Sequence, residues 1–148
     1  MAFHFPLETV LNLRRSQERL EQNRLAALNR QFMDLARQLE VLELEKVAAR
    51  ERLRKELGEG LSGAEIGFHT LWEEAWKQRQ VLLTRRMAEL EQRRRVQREV
   101  LDRARQGREI LENLSSRQRL LALQTQARRE QQQSDELFLL SRYVKREG

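Results

Sequence analysis

The chain has 148 residues, with 29 lysines and arginines against 23 aspartates and glutamates, a net charge of +6 and no cysteine. This length suits one domain, and the lack of cysteine excludes a disulfide scaffold, a cysteine-ligated metal centre and a thiol nucleophile. A mean hydropathy of -0.80 and 26 leucines against two isoleucines and seven valines favour long amphipathic helices and argue against a β-sheet protein.

The first predicted element is a helix from about residue 6 to about residue 57. Residues 7 to 57 contain neither glycine nor proline, and Pro6 suits a first helical turn because its missing N–H would have no partner there. We expect the helix to end at Leu57 against Gly58, since glycine readily takes the left-handed conformation that closes a helix. Four of the six glycines lie between residues 58 and 67, so they mark one break between two helices.

A leucine-rich stripe on this helix has the spacing of a coiled coil. Alternating steps of four and three residues separate its members, which is the heptad period. The members are Leu28, Phe32, Leu35, Leu39, Leu42, Lys46, Ala49 and Leu53. Upstream, apolar residues keep the period one residue out of phase, so we expect a skip near Leu25 that rejoins them to the stripe. These upstream residues are Val10, Leu13, Leu20 and Ala27.

The second helix is predicted from about residue 63 to about residue 142, after a glycine hinge over residues 58–63. Its start has the S-x-x-E spacing of a capping box, in which the serine oxygen accepts the glutamate N–H and the glutamate side chain reaches back. The hinge and cap residues are Gly58, Gly60, Ser62, Gly63 and Glu65.

The apolar stripe of the second helix is less regular. Its first members, with two polar residues at intervening positions, are Leu83, Met87, Leu90, Arg94, Gln97, Leu101 and Ala104. From Gly107 we expect the phase to slip by one residue, onto Leu111, Leu114 and Leu121. The part after about residue 118 has no counterpart on the first helix and is expected to remain unpaired.

Together the stripes predict an all-α fold, a long two-helix antiparallel coiled-coil hairpin with unequal arms and a single domain over residues 1–148. A lone amphipathic helix would expose its leucines to water at a cost of about 25 cal/mol per Å². Folding back near residue 60 places residue i opposite about residue 120 minus i. Lys46 then faces Glu74, an ion pair that fixes the register. We expect the free protein to be a monomer.

No constellation in the sequence predicts catalysis or a cofactor. His4 and His69 lie far apart with no H-x-x-x-H motif, and there is no phosphate-binding G-x-x-x-x-G-K. The carboxylates lie among arginines on helix surfaces, where nothing raises a pKa for acid–base work. No apolar stretch is long enough to cross a membrane, and the N-terminus does not resemble a signal peptide. We therefore expect a noncatalytic protein without a metal.

Trp72 and Trp76 lie one turn apart on one helical face, in a chain with 5% aromatic residues. With Phe68 and Leu71 they fill the end of the hairpin, or they anchor a partner, since tryptophan dominates interface hot spots. Leu71 and Ala75 are the expected seam positions, which leaves the tryptophans to the side. Both interpretations remain open from the residues alone.

An arginine-rich stretch of the second helix is the other candidate surface. Its basic residues are Arg85, Arg86, Arg93, Arg94, Arg95 and Arg98. A basic helix can enter a DNA groove, but glutamates are interleaved here and the stretch lies within the predicted coiled coil. A solvated flank is the simpler interpretation, with no nucleic-acid partner.

The opening and the hinge resemble those of a known family. Phe3-His4-Phe5-Pro6-Leu7, followed by Val10-Leu11-Asn12-Leu13-Arg14 and Glu18, resembles the opening of the FliJ family of flagellar type III export proteins, often F-x-F-x-L-x-x-V/L-L-x-x-R. Gly60-Leu61-Ser62 before an aromatic-bearing helix resembles the hinge of that family, and Glu130 with Asp135-Glu136 resembles its C-terminal acidic positions. The resemblance spans essentially the whole chain, and injectisome stalk proteins of the YscO type are similar as well.

The resemblance implies a two-helix antiparallel coiled coil similar to the central stalk of rotary ATP synthases. In the FliJ family the paired termini insert into the hexameric export ATPase ring and promote its assembly and activity. The hinge side meets the cytoplasmic domain of the export-gate membrane protein, and the protein also handles export chaperones. The implied place is the cytoplasm, peripheral to the inner membrane at the flagellar base.

Carried over residue by residue, the resemblance implies two sets of binding residues. The ring-facing set is Leu7, Leu11, Arg14, Arg15, Glu18 and Arg19, with Arg117 and Arg119 on the second helix. The gate-facing pair is Trp72 and Trp76, where the family has an apolar or aromatic pair one turn apart and the second residue is usually smaller. The alternatives are an injectisome stalk, a structural dimer of parallel helices and a basic helix that binds nucleic acid.

Overall fold

The computed structural model describes residues 4–147, so Phe3 of the opening motif lies outside the described residues. Two helices account for most of this range, α1 (Glu8–Glu59) and α2 (Gly63–Glu147). They pack against each other, and no strand forms between residues 4 and 147, which confirms the expected all-α fold. Neither helix contains, in this range, a stretch long and apolar enough to cross a lipid bilayer.

The chain divides into two compact units, each containing part of α1 and part of α2. One consists of the two ends of the chain, up to Arg19 and from Arg103 onward, and the other is Leu20–Asp102. We call the first the terminal unit and the second the turn unit.

The turn between the helices lies further along the chain than expected. α1 continues through Gly58 to Glu59, and Gly60 has the positive φ, 93°, that closes the helix. The expectation that Leu57 ends the helix against Gly58 is therefore wrong. At the start of α2 the Glu65 N–H donates to Ser62 Oγ at 3.3 Å, which is the backbone half of a capping box.

Alanine at two of the turn glycines should have opposite effects on stability. Gly60→Ala should lower the free energy of unfolding by about 1–2 kcal/mol, because a Cβ disfavours positive φ. Gly58→Ala should raise it by about 0.5 kcal/mol, because glycine loses more freedom than alanine in a helix. No neighbouring atom lies within 4 Å of a Cβ built at either position, so packing does not obscure the comparison.

Urea unfolding followed by circular dichroism measures both effects. The unchanged chain is the common reference for the two variants. If Gly60→Ala raises the free energy of unfolding and Gly58→Ala lowers it, the turn described above is contradicted, and Gly58 would be the residue that closes α1.

In the turn unit the predicted α1 stripe is the buried seam. All eight of its members are buried or half-buried. Leu42 and Lys46 are the most enclosed, with 4% and 7% of their surface exposed. Removal of these apolar surfaces from water is the main force that holds the helices together.

The skip predicted near Leu25 is wrong. Leu11 and Glu18 are buried and Glu21 and Leu25 are half-buried, so the steps of three and four residues continue through α1 without interruption. The upstream leucine row instead faces solvent: its exposed members are Val10, Leu13 and Leu20. The physical reason is that polar residues occupy the seam here and find polar partners on α2.

The phase slip predicted at Gly107 is also absent. The α2 members up to Ala104 are buried or half-buried as expected. Beyond that residue the half-buried positions that keep the same period are Arg108, Leu111, Ser115 and Gln118. Leu114 and Leu121 are 36% and 61% exposed, and all side chains from residue 119 to residue 146 are exposed.

Lys46 does not face Glu74, so the predicted register is wrong at this point. The Lys46 ammonium donates to Gln80 Oε1 at 2.8 Å and lies 3.9 Å from Glu43. Because the turn is centred on residues 60–62, Lys46 meets α2 further along than expected. Glu74 is exposed beside the seam, whereas Gln80 occupies a position with the seam spacing.

Candidate binding surfaces of the terminal and turn units

A cluster of ion pairs joins the helices of the terminal unit. Glu18, which is 8% exposed, accepts hydrogen bonds from Arg108 and from Arg105 Nε, the latter at 3.5 Å. Arg108 Nη1 also donates to Glu112 Oε2 at 2.7 Å, and Glu112 Oε1 accepts from Arg15 Nη2 at 3.3 Å. Charges of opposite sign therefore alternate across the seam.

This arrangement shifts the pKa values of its two central members. The hydrogen bond from Arg108 lowers the pKa of the Glu18 carboxyl, against the opposing effect of desolvation, and Arg105 lowers it further. The hydrogen bond to Glu18 raises the pKa of Arg108. Because the carboxyl binds its proton more weakly in the folded chain, its contribution to stability is present above the unfolded-state pKa and is lost as pH falls through the lowered pKa.

The predicted ring-facing residues divide into internal and exposed groups. Leu11 is 2% exposed and Glu18 is 8% exposed, so these two hold the helices together. Arg14 lies across α2, since a Cβ at Gly107 would be 3.7 Å from its Nη1. The members that remain exposed are Leu7, Arg14, Arg15, Arg19, Arg117 and Arg119.

The sequence reasoning missed several residues of this unit. Phe5, noted only as part of the opening motif, is 2% exposed and belongs to the core. Apolar periodicity does not predict the partners of Glu18 and Arg15, because charged residues form the seam at this point. The signal that could have found them is the heptad spacing of Leu11, Glu18 and Leu25.

In the turn unit an open groove of about 510 Å³ lies beside the tryptophans. Its α2 side carries an aromatic ladder: the ring centroids of Phe68 and Trp72 are 6.0 Å apart, as are those of Trp72 and Trp76. The α1 residues that line it are Leu44, Glu45, Ala48, Ala49 and Arg52. Of these residues Ala48 and Ala49 are small, and Glu45 and Arg52 carry charges of opposite sign.

The two tryptophans have different environments. Trp72 is 49% exposed, while Trp76 is half-buried at a seam position. Leu71 and Ala75, the expected seam residues, are exposed, so that assignment is wrong. Phe68 and Leu71 are 60% and 69% exposed and do not fill the end of the hairpin.

Polar pairs close the seam next to this ladder. His69 Nε2 lies 3.3 Å from Glu56 Oε2, and Arg50 Nε donates to Glu73 Oε1 at 3.0 Å. His69 and Glu73 lie at seam positions of α2, with Trp76 next in the same period. These contacts join the helices near the turn without covering the exposed face of Trp72.

The arginine-rich stretch is mostly exposed, with one exception. Arg94 lies in the seam, where its guanidinium is 4.3 Å from the centroid of the Phe32 ring and its Nε donates to Asn29 Oδ1 at 2.8 Å. Its Nη1 also binds Glu91 at 2.8 Å. The other five arginines of the stretch are exposed.

Between residues 4 and 147 no group of three or more histidines, aspartates or glutamates is placed to hold a metal ion. Every buried side-chain nitrogen and oxygen in the described part of the chain has a hydrogen-bond partner. The side chains that these two surfaces present are aromatic, aliphatic and cationic groups, which suit protein contacts.

Two long helices that pack along a heptad seam define an α-helical coiled-coil protein. A family model described as "Flagellar FliJ protein" matches residues 3–148, essentially the whole chain. The chain therefore belongs to the FliJ family, a noncatalytic family of flagellar type III protein export. Comparisons with curated proteins and with solved structures found no match.

Proposed function

We propose that this protein is a stalk of the flagellar type III export apparatus. Its terminal unit binds the hexameric export ATPase and promotes ring assembly and activity, and its turn unit binds the cytoplasmic domain of the export-gate membrane protein. The observation that carries the proposal is the family match over residues 3–148. The protein acts in the cytoplasm, peripheral to the inner membrane at the flagellar base, and also meets export chaperones.

The exposed cations of the terminal unit support the ATPase contact. Arg14 and Arg117 project from α1 and α2, and Arg19 is exposed as well. An exposed ion pair contributes about 0–1 kcal/mol, so single contacts of this kind form and break readily. A stalk that works inside a ring of repeated subunits needs such exchangeable contacts.

The aromatic groove of the turn unit supports the gate contact. Trp72 is half exposed yet held between two neighbouring rings at 6.0 Å. Side chains held in this way lose little conformational freedom on binding, which favours affinity. Tryptophan also provides a large apolar area and dominates interface hot spots.

Binding to the purified hexameric export ATPase tests the proposal. We expect the full chain to co-purify with the ATPase and to raise its ATP hydrolysis rate. Reversing two exposed charges, Arg14→Glu with Arg117→Glu, should weaken binding by about tenfold, through lost attraction and new like-charge repulsion.

The matched control reverses two exposed arginines of the turn unit, Arg85→Glu with Arg86→Glu, and should bind the ATPase as the unchanged chain does. Helicity should be the same in all three proteins. An ATPase that neither binds the unchanged chain nor responds to it would refute the stalk assignment.

A further inference from the structure

Four apolar residues that the sequence placed in the seam, together with Ile110, form a second, exposed feature of the terminal unit. On α1, Val10 and Leu13 are 40% and 57% exposed, and on α2, Ile110, Leu114 and Leu121 are 68%, 36% and 61% exposed. We call these five residues the apolar ridge. Large exposed apolar patches on protein surfaces mark interaction sites.

The α2 part of the ridge is one straight line. Ile110, Leu114 and Leu121, with Arg117 between the last two, follow steps of four, three and four residues, so they share one helical face. Gly107 precedes Ile110 by three residues and begins the same line. The side chain of Arg14 on α1 crosses the seam at Gly107, and its Nη1 would lie 3.7 Å from a Cβ built on that glycine.

The ridge lies on one flank of the terminal unit, and the ion pairs lie on the other. Around α1, Val10 and Arg15 are on opposite sides of the buried line through Leu11 and Glu18, because successive residues of a helix are separated by about 100°. Arg15 contacts Glu112 on its own side. One flank therefore carries the apolar ridge, while on the other flank Arg15 is paired with Glu112.

Charge identifies the kind of partner that fits this ridge. Arg103 and Arg117 lie seven residues before and after Ile110, on the same line of α2, and both are exposed. A second copy packed antiparallel about Ile110 would bring Arg103 against the second copy's Arg117, and a parallel one would bring like residues together. Both arrangements set like charges against each other, which favours a different chain that carries carboxylates beside an apolar stripe as the occupant.

We propose that the apolar ridge is a one-sided docking surface for an apolar, acid-flanked helical segment of the export ATPase. This inference rests on the proposed function, which places the terminal unit against that ATPase. It adds to the charged contacts given there an apolar contribution to the affinity, from leucine and isoleucine side chains on one flank of the terminal unit.

Two leucines of α2 provide a closely matched test. Leu121 belongs to the ridge and Leu123 does not, yet they are 61% and 58% exposed and only two residues apart. Leu121→Gln and Ile110→Gln together should raise the dissociation constant for the purified hexameric ATPase by about tenfold or more, as expected for removing apolar contacts from an interface. Leu123→Gln should stay within about twofold of the unchanged chain.

Helicity and melting temperature check that all variants remain folded, which exposed positions should allow. If the unchanged chain does not bind the ATPase, the proposed function fails. If it binds and the double variant, Leu121→Gln with Ile110→Gln, weakens binding no more than Leu123→Gln does, the one-sided ridge fails while the proposed function stands. A sedimentation experiment in which the unchanged chain dimerises and Ile110→Gln restores the monomer would make a second copy the occupant and overturn the inference.

Discussion

Trp72→Ala should weaken binding of the purified export-gate cytoplasmic domain by at least about thirtyfold, the loss expected at an interface hot spot. The side chain is 49% exposed and lies between the rings of Phe68 and Trp76, in edge-on contact with the first and tilted against the second, so it can bury its free face against the partner without rearrangement. Replacing Trp76 as well should abolish binding while helicity is largely retained. Isothermal titration calorimetry measures the affinity, and circular dichroism measures the helicity.

The control for this experiment is Leu71→Ala. Leu71 is 69% exposed and directly precedes Trp72, but it projects from another face of α2. It should leave the affinity within about twofold, since scattered apolar surface residues carry little binding energy. Unchanged binding by Trp72→Ala would exclude the groove as the gate contact, and loss of helicity in that variant would assign Trp72 to the core.

Leu11→Ala should destabilise the protein strongly, whereas Leu13→Ala should not. Leu11 is 2% exposed and Leu13 is 57% exposed, so only the first substitution leaves a cavity in the seam. Buried leucine-to-alanine changes lower the free energy of unfolding by about 2–5 kcal/mol, and exposed ones change it by about 0.5 kcal/mol or less.

Urea unfolding at 222 nm compares the two variants, which differ only in which neighbouring leucine is shortened. The reverse order, with Leu13→Ala the more destabilised, would mean that α1 is rotated about its axis and that the seam is the one its leucine row predicts. The same pair also separates stability from binding, because Leu13 belongs to the apolar ridge and Leu11 does not.

Leucine periodicity predicts the seam correctly where leucines form it. From Leu28 to Leu53 every predicted seam residue is buried or half-buried, because no second apolar row with the heptad period exists there. Around Glu18 two rows have the heptad period, one apolar and one mostly polar, and the polar row is buried because arginines of α2 neutralise it. Which of the two rows is buried depends on the residues of α2 that lie opposite. The local sequence pattern of α1 does not predict those residues.

The groove beside Trp72 and Trp76 also depends on contacts that local sequence does not predict. Spacing places Trp72 and Trp76 on one face, and the structure groups their rings accordingly. The facing wall with Ala48 and Arg52 depends on the register, and the register depends on whether Gly58 or Gly60 closes α1. Because both positions hold glycine, helix propensity does not predict which of the two closes α1.

The apolar ridge makes the two flanks of the terminal unit chemically different. If the terminal unit docks inside a hexamer of identical subunits as proposed, the subunits that contact the ridge meet apolar side chains and the remaining subunits do not. The proposed docking would therefore make the six subunits inequivalent.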